Sequence, residues 1–188
     1  MQGSVPESPL PALEQAILDP LPPPGLMLEL GNKHNLSVKR AGGDGVYKNW
    51  FQALGWDHTS VDINGKDGAL PLDLTQDQDL GQFDLVTNFG TTEHIGDDIA
   101  QQGVAWRNIH RACAGLFVSV TPLPGDWPTH GRWYPTRTFF ESLQWLDIER
   151  IYIAGTGRKR CWYVRSAANG QPFDFPAEYV FDNLGTKD

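Results

Sequence analysis

The sequence predicts an α/β fold, in which a mostly parallel sheet is covered by helices on both faces and finished by a C-terminal antiparallel strand pair. Three observations carry this. Short apolar runs recur between residues 26 and 154, most of them separated by stretches with helical spacing. Four successive runs end in polar groups or a glycine turn, at Glu29 and Gly31, at Asp62, at Asp73 and at Asn88. The last two runs are joined only by a short connection holding Gly155-Thr156-Gly157, which suits a hairpin rather than a crossover.

The elements follow in order. Residues 1–25 contain seven prolines and are expected to be largely extended, with one short helix over Leu10–Leu18. Pro22-Pro23-Pro24-Gly25 stops a helix from entering the first strand, Leu26–Leu30. Asn35–Gly45 is polar and glycine-rich, a loop. Val46–Leu54 is a helix with Tyr47, Trp50, Phe51 and Leu54 on one stripe, ended by Gly55. A second strand spans His58–Ile63 and a brief third spans Ala69–Leu72, before the acidic surface stretch Thr75–Asp79. Phe83–Asn88 is the fourth strand, followed by the loop Gly90–His94. Ala100–Cys113 reads as a helix with Val104, Ile109 and Cys113 inward and Arg107 and Arg111 outward. The strongly apolar fifth strand, Leu116–Thr121, leads into a Pro-, Gly- and Trp-rich loop to Pro135. A helix over Thr136–Trp145 and the strands Asp147–Ala154 and Cys161–Ser166 complete the body. The tail from Gly170 offers Phe173, Phe175, Tyr179 and Phe181 for docking.

Composition narrows the function. A length of 188 residues suits one domain. The net charge of −8 argues against bulk nucleic-acid binding, which needs a basic face; the run Arg158-Lys159-Arg160 is expected to be a solvated turn. Cys113 and Cys161 stand far apart in apolar surroundings, so they are expected to be reduced core residues of a cytoplasmic protein. The N-terminal stretch has neither a basic start nor an apolar core like a signal peptide's, and no apolar run approaches the ~18 residues of a membrane span.

In an open parallel sheet, ligands bind beyond the carboxyl ends of the strands, where the polar strand ends gather. A carboxylate at the end of the second strand suits the paired hydroxyls of a ribose, although Asp62 lies about thirty residues beyond Gly31 rather than the ~20 of the dinucleotide fingerprint. Gly31 is followed by Asn32-Lys33-His34, with neither G-x-G-x-x-G nor G-x-x-x-x-G-K-[ST] to cradle phosphates. An acidic site without a phosphate cradle fits a cationic, phosphate-free nucleoside better than NAD or ATP.

These residues resemble the class I S-adenosylmethionine-dependent methyltransferases. Leu28-Glu29-Leu30-Gly31 is similar to the family's first motif, which faces the methionine part of the cofactor. Thr59–Ile63 is similar to the second, with Asp62 in the ribose position, and Pro71–Leu74 to the third, with Asp73 near the adenine edge. Phe83–Ile95 (FDLVTNFGTTEHI) is similar to the fourth. The resemblance covers about residues 26–166 and implies a Rossmann-like sheet and a methyltransferase-like domain over 26–170, between a Pro-rich segment 1–25 and a tail 171–188. It implies S-adenosyl-L-methionine as cofactor, held by Glu29, Gly31, Asn32, Lys33, Asp62, Ile63, Asp73, Leu74, Asn88 and Phe89. Asn32-Lys33-His34 replace the family's further glycines. Lys33 is placed to pair with the cofactor's carboxylate, and a non-catalytic protein of the same fold is the alternative.

His94 and His130 are the candidate catalytic groups on the acceptor side. A histidine there is suited to take a proton from an attacking hydroxyl or amine; the alternative is that Glu93 caps the next helix and His94 packs against the cofactor. His130, with Trp127, Trp133 and Tyr134, belongs to a loop that either stacks on an acceptor or closes the core. His110, inside a helix, reads as structural. No metal-ligand pattern such as HExxH is present, and no metal is expected. The acceptor is expected to be a small molecule or peptide; the oligomeric state is open.

Overall fold

The computed structural model of the chain describes residues 11–34 and 45–182. The elements are α1 (Ala12–Leu18), β1 (Leu26–Leu30), α2 (Tyr47–Ala53), β2 (Asp57–Val61), β3 (Phe83–Phe89), α3 (Ile99–Ala112), β4 (Cys113–Pro122), β5 (Trp133–Pro135), α4 (Arg137–Ser142), β6 (Leu146–Thr156), β7 (Lys159–Ala168) and β8 (Val180–Asp182). Six strands form one sheet in the order β2-β1-β3-β4-β7-β6, the first four parallel and the last two antiparallel. The chain leaves β1 toward one edge to make β2, then returns across it to make β3. The turns after β1 and β3 therefore diverge, and the crevice between them is open to a ligand.

Strand geometry sends successive side chains to opposite faces, and here both faces are covered, which is why the strands read as nearly continuous apolar runs. On one face, Met27, Leu85, Phe89, Leu116 and Val118 pack with Ile17 and Leu18 of α1 and Tyr47, Trp50 and Phe51 of α2. On the other, Leu28, Leu30, Val86 and Phe117 pack with Ala105, Trp106 and Ile109 of α3 and Phe139 and Phe140 of α4. Trp106 is fully buried, its ring edge-on to Phe139 at 4.8 Å and to Phe117 at 5.9 Å. The α3 helix starts at Asp98, whose carboxylate accepts the Gln101 N–H at 2.9 Å, satisfying one of the unpaired donors of the first turn.

Several boundaries differ from those expected. The third strand, expected over Ala69–Leu72, is a single parallel bridge between Val61 and Leu70. Leu70 exchanges bonds with Ser60 and Asp62, but Pro71 has no N–H to continue the ladder. The helix expected over Thr136–Trp145 is α4 alone; Thr136 caps it through its hydroxyl (3.2 Å to the Phe139 N–H), and it ends where Leu143 and Trp145 turn into the core. The loop before it is less irregular than expected, because β5 pairs with β8 of the tail. Phe173, Phe175 and Tyr179 pack against the α3 and α4 side of the core. His110 is structural as expected, its ring against Trp145 and Phe173. The glycine-rich loop expected over Asn35–Gly45 lies, up to residue 44, outside the described residues. Both cysteines are buried free thiols that burial pushes up to about 12. No helix of the described residues is long and apolar enough to cross a membrane.

Glu14 of α1 accepts the Tyr47 hydroxyl at 2.8 Å, and burial raises its carboxyl from 4.5 to about 7. The folded state therefore keeps this proton over a pH window in which the unfolded chain releases it. The resulting destabilisation is absent below about pH 4.5, grows as pH rises, and is complete above about pH 7. Glu14→Gln is expected to stabilise the protein at pH 8 by up to about 3 kcal/mol and to have little effect at pH 4. Denaturant unfolding of both proteins across this range checks it; a pH-independent difference would contradict it.

Candidate functional site

The turn after β1 and the turn after β3 are tied to each other. Gly31 has φ +79°, and a Cβ there would stand 2.6 Å from the Thr91 hydroxyl oxygen, so the close approach of the two turns requires glycine. Thr91 donates its hydroxyl to the Leu30 carbonyl at 2.7 Å, and Lys33 Nζ donates to the Gly90 carbonyl at 2.6 Å. The β3 turn is held from beneath by Asn88. Its Nδ2 donates to the hydroxyls of Thr92 (2.8 Å) and Ser119 (3.0 Å), while its Oδ1 accepts the N–H groups of Thr91 (3.2 Å) and Thr92 (3.1 Å).

Between these turns lies a cavity of about 530 Å³. Of the residues expected to bind a cofactor, Gly31, Lys33, Asp62, Ile63, Asp73 and Leu74 line it, and so does His94. Asp62 accepts the N–H groups of Asn32 (3.2 Å) and Asn64 (3.0 Å), one on each oxygen, which fixes its carboxylate while leaving lone pairs for a ligand. Asp73 accepts the Thr75 N–H and hydroxyl on one oxygen. Ile63 is 74% exposed at the rim, an apolar surface with space above it.

Glu29, Asn32, Asn88 and Phe89 do not line the cavity. Glu29 is fully buried, its carboxylate 3.1 Å from His58 Nε2 across β1 and β2; burial raises its carboxyl, and the bond to His58 opposes this. Asn32 anchors the turn, donating its side-chain amide to Asp67 and the Lys66 carbonyl. Phe89 is buried edge-on to Tyr47. Burial lowers the Lys33 ammonium, while Glu93, Glu29, Asp62 and Glu14 around it act in the opposite direction.

Glu93 does not cap α3, a place taken by Asp98. It is fully buried, and neither carboxylate oxygen has a hydrogen-bond partner among the described residues. Its Oε1 lies 3.5 Å from His130 Nε2 and 3.9 Å from His94 Nε2. The histidine rings meet edge-on at 4.8 Å, and the His130 ring stacks on Trp127 at 4.1 Å. Burial lowers the His94 imidazolium, and His130 and Lys33 push the same way against Glu93. Gly131 lets the His130 loop reach Glu93, since a Cβ there would stand 2.7 Å from Glu93 Cγ. Thus the fold brings His130 to the neighbouring pair Glu93 and His94, from which the sequence separates it, to make one group of possible metal ligands. The expectation of no metal-ligand pattern rested on linear spacing alone.

Two further residues were not singled out from the sequence. Gln102 donates its side-chain amide to the Thr92 and Ile95 carbonyls, at 2.7 and 2.6 Å. Asn108 donates to the Leu74 and Gln76 carbonyls, at 3.1 and 2.7 Å. From one helix they brace both walls of the cavity. Their signal was an amide side chain on the inward stripe of α3, beside Ala105, Trp106 and Ile109.

No protein-family model and no curated protein matches the chain. Solved structures do resemble it. The 1,6-didemethyltoxoflavin-N1-methyltransferase of Burkholderia thailandensis, solved with 1,6-didemethyltoxoflavin and S-adenosylhomocysteine, is 14% identical with a TM-score of 0.60; the match covers 87% of this chain and 79% of that one. The N-methyltransferase NodS of Bradyrhizobium japonicum is 15% identical with a TM-score of 0.54, covering 82% and 92%. TehB of Haemophilus influenzae is 9% identical with a TM-score of 0.65, covering 85% of this chain and 63% of that one. At these identities the likeness is one of fold: the chain shares the Rossmann-like fold of these proteins, two of which are named as methyltransferases.

Asn88→Ala is expected to lower stability by about 2–4 kcal/mol, because it leaves the Thr91 and Thr92 N–H groups and two hydroxyls without their partner. Urea unfolding checks this; a loss under 1 kcal/mol would show that the turn does not depend on it.

Proposed function

We propose that the chain is an S-adenosylmethionine-dependent methyltransferase acting on a small-molecule acceptor. The observation that carries this reading is the cavity at the switch point, lined by the fixed carboxylates of Asp62 and Asp73 and by His94, which groups with Glu93 and His130 outside the lining. The donor set fits the cofactor. Asp62 accepts the two ribose hydroxyls, Ile63 and Leu74 sandwich the adenine, and Asp73 takes its polar edge. Gly31 admits the methionine part against the backbone, and Lys33, with donors beyond the one given to Gly90, pairs with its carboxylate. Glu29, Asn32, Asn88 and Phe89 act through the turns they hold. A cavity walled by carboxylates suits a sulfonium and repels a pyrophosphate.

When bound, the sulfonium supplies the methyl group. The chain's own contribution is to hold acceptor and methyl in line, the positioning from which much of the acceleration of such a displacement comes. His94, which lines the cavity, meets the acceptor; His130 does not line it and stands edge-on to the His94 ring. The net charge of −8 supports a small molecule or peptide over bulk nucleic acid, as does the 1,6-didemethyltoxoflavin bound to one structural neighbour. Two buried, unpaired thiols support a reducing, cytoplasmic location.

Calorimetric titration with S-adenosylmethionine and S-adenosylhomocysteine, with NAD as control, tests the reading. Micromolar binding is expected. Asp62→Ala is expected to weaken it by more than tenfold, roughly 1.4 kcal/mol, and Lys33→Ala to weaken it also. Preference for NAD, or no binding of either sulfur compound, would overturn it.

A further inference from the structure

We propose that Glu93, His94 and His130 form a divalent transition-metal site of the zinc class at the acceptor end of the cavity, with an open position for an oxygen of the acceptor. This deepens the proposed function and rests on it for the identity of the acceptor end, although the metal site itself stands on its own geometry.

Glu93 gives the first argument. A fully buried carboxylate without a hydrogen-bond partner among the described residues is costly to keep, because it has lost its water and gained no donor in return. The Lys33 ammonium acts on it electrostatically, and the polar groups within 4 Å of it are the two imidazoles, whose Nε2 atoms stand at 3.5 and 3.9 Å. These separations are too long for good hydrogen bonds but near the spacing of metal ligands. With bonds of about 2.0–2.1 Å, the edge of a tetrahedron is roughly 3.3 Å. The three ligand atoms all lie within 4.8 Å of one another, so small side-chain rotations bring them onto one ion.

The composition of the set gives the second. Two imidazoles and one carboxylate form the three-ligand pattern of zinc sites that keep a fourth position free. Imidazole favours zinc and its transition-metal neighbours over magnesium or calcium, which prefer oxygen. A divalent ion would also neutralise the buried carboxylate. The surrounding fold holds the ligands in place, which is the third argument. Gly131 allows contact with Glu93, Trp127 stacks on His130, and the Tyr134 hydroxyl donates to the Trp127 carbonyl at 2.8 Å. Trp127 and Thr129 adopt φ +51° and +67°, conformations that side chains of L-residues rarely take and that the loop's contacts must sustain. His94 lines the cavity, so an ion held with it stands where an acceptor would approach.

The test is metal binding by the full-length, tag-free protein, measured after chelation and dialysis by calorimetry with Zn²⁺ and by the visible absorption of the Co²⁺-loaded form. One equivalent at micromolar affinity or tighter is expected, with Co²⁺ spectra of low coordination number. Glu93→Gln and His130→Ala, each first shown to unfold cooperatively, are expected to weaken binding at least a hundredfold. Asp62→Ala is expected to keep metal affinity within threefold while losing S-adenosylmethionine, which separates this site from the cofactor reading. Absence of stoichiometric Zn²⁺ or Co²⁺ binding would overturn the proposal, as would affinity unchanged in the folded Glu93→Gln and His130→Ala proteins. Metal binding without any S-adenosylmethionine binding would uphold the site and overturn the proposed methyl transfer.

Discussion

The side-chain amide of Asn88 is the interaction on which the site most depends. It is buried at the end of β3 and uses both donors and two acceptor positions on groups of the following turn and of β4. The turn carries Gly90 and Thr91, which fasten it to the β1 side through Lys33 and Leu30, and leads directly into Glu93 and His94. One buried residue thus sets the spacing between the side of the cavity formed by Gly31 and Lys33 and the side formed by Thr91 and His94. Asn suits this place because a single planar amide supplies donors and acceptors together and carries no charge to desolvate.

Around this turn the protein maintains several groups that water would otherwise solvate. Lys33 sits among Glu14, Glu29, Asp62 and Glu93, and Glu29 pairs with His58 in the layer beneath. Such groupings are weak contributors to stability, since the desolvation of each charge offsets much of the attraction. Their value lies in position. The stability of the region comes from the two apolar clusters that cover the sheet, and α3 transmits that rigidity outward through Gln102 and Asn108.

Much of the fold was legible because the information was local. Alternating apolar runs and helical stripes located β1, β3, β4, the hairpin and helices α2 and α3. Proline marked the entry to β1, yet the same chemistry at Pro71 broke the expected third strand, a case where one missing N–H outweighs an apolar pattern. Asp62 was legible as a strand-end carboxylate; Asp73 also lines the cavity, but from a loop rather than from the strand expected before it. The roles of Glu29 and Asn88 were not legible: both looked like ligand-facing strand ends, but the pleat sends Glu29 to the α2 layer, and Asn88 is spent on its own turn. The pairing of β5 with β8 and the approach of His130 to Glu93 depend on long-range packing with no local signature. A buried carboxylate lacking a partner can be seen only once the chain is folded.

The most direct measurement is a crystal structure of the protein grown with S-adenosylhomocysteine. The ligand is expected in the cavity, with both ribose hydroxyls on Asp62, the homocysteine carboxylate toward Lys33, and the sulfur directed to the side where Glu93, His94 and His130 converge. A ligand seated elsewhere, or with its ribose away from Asp62, would contradict it.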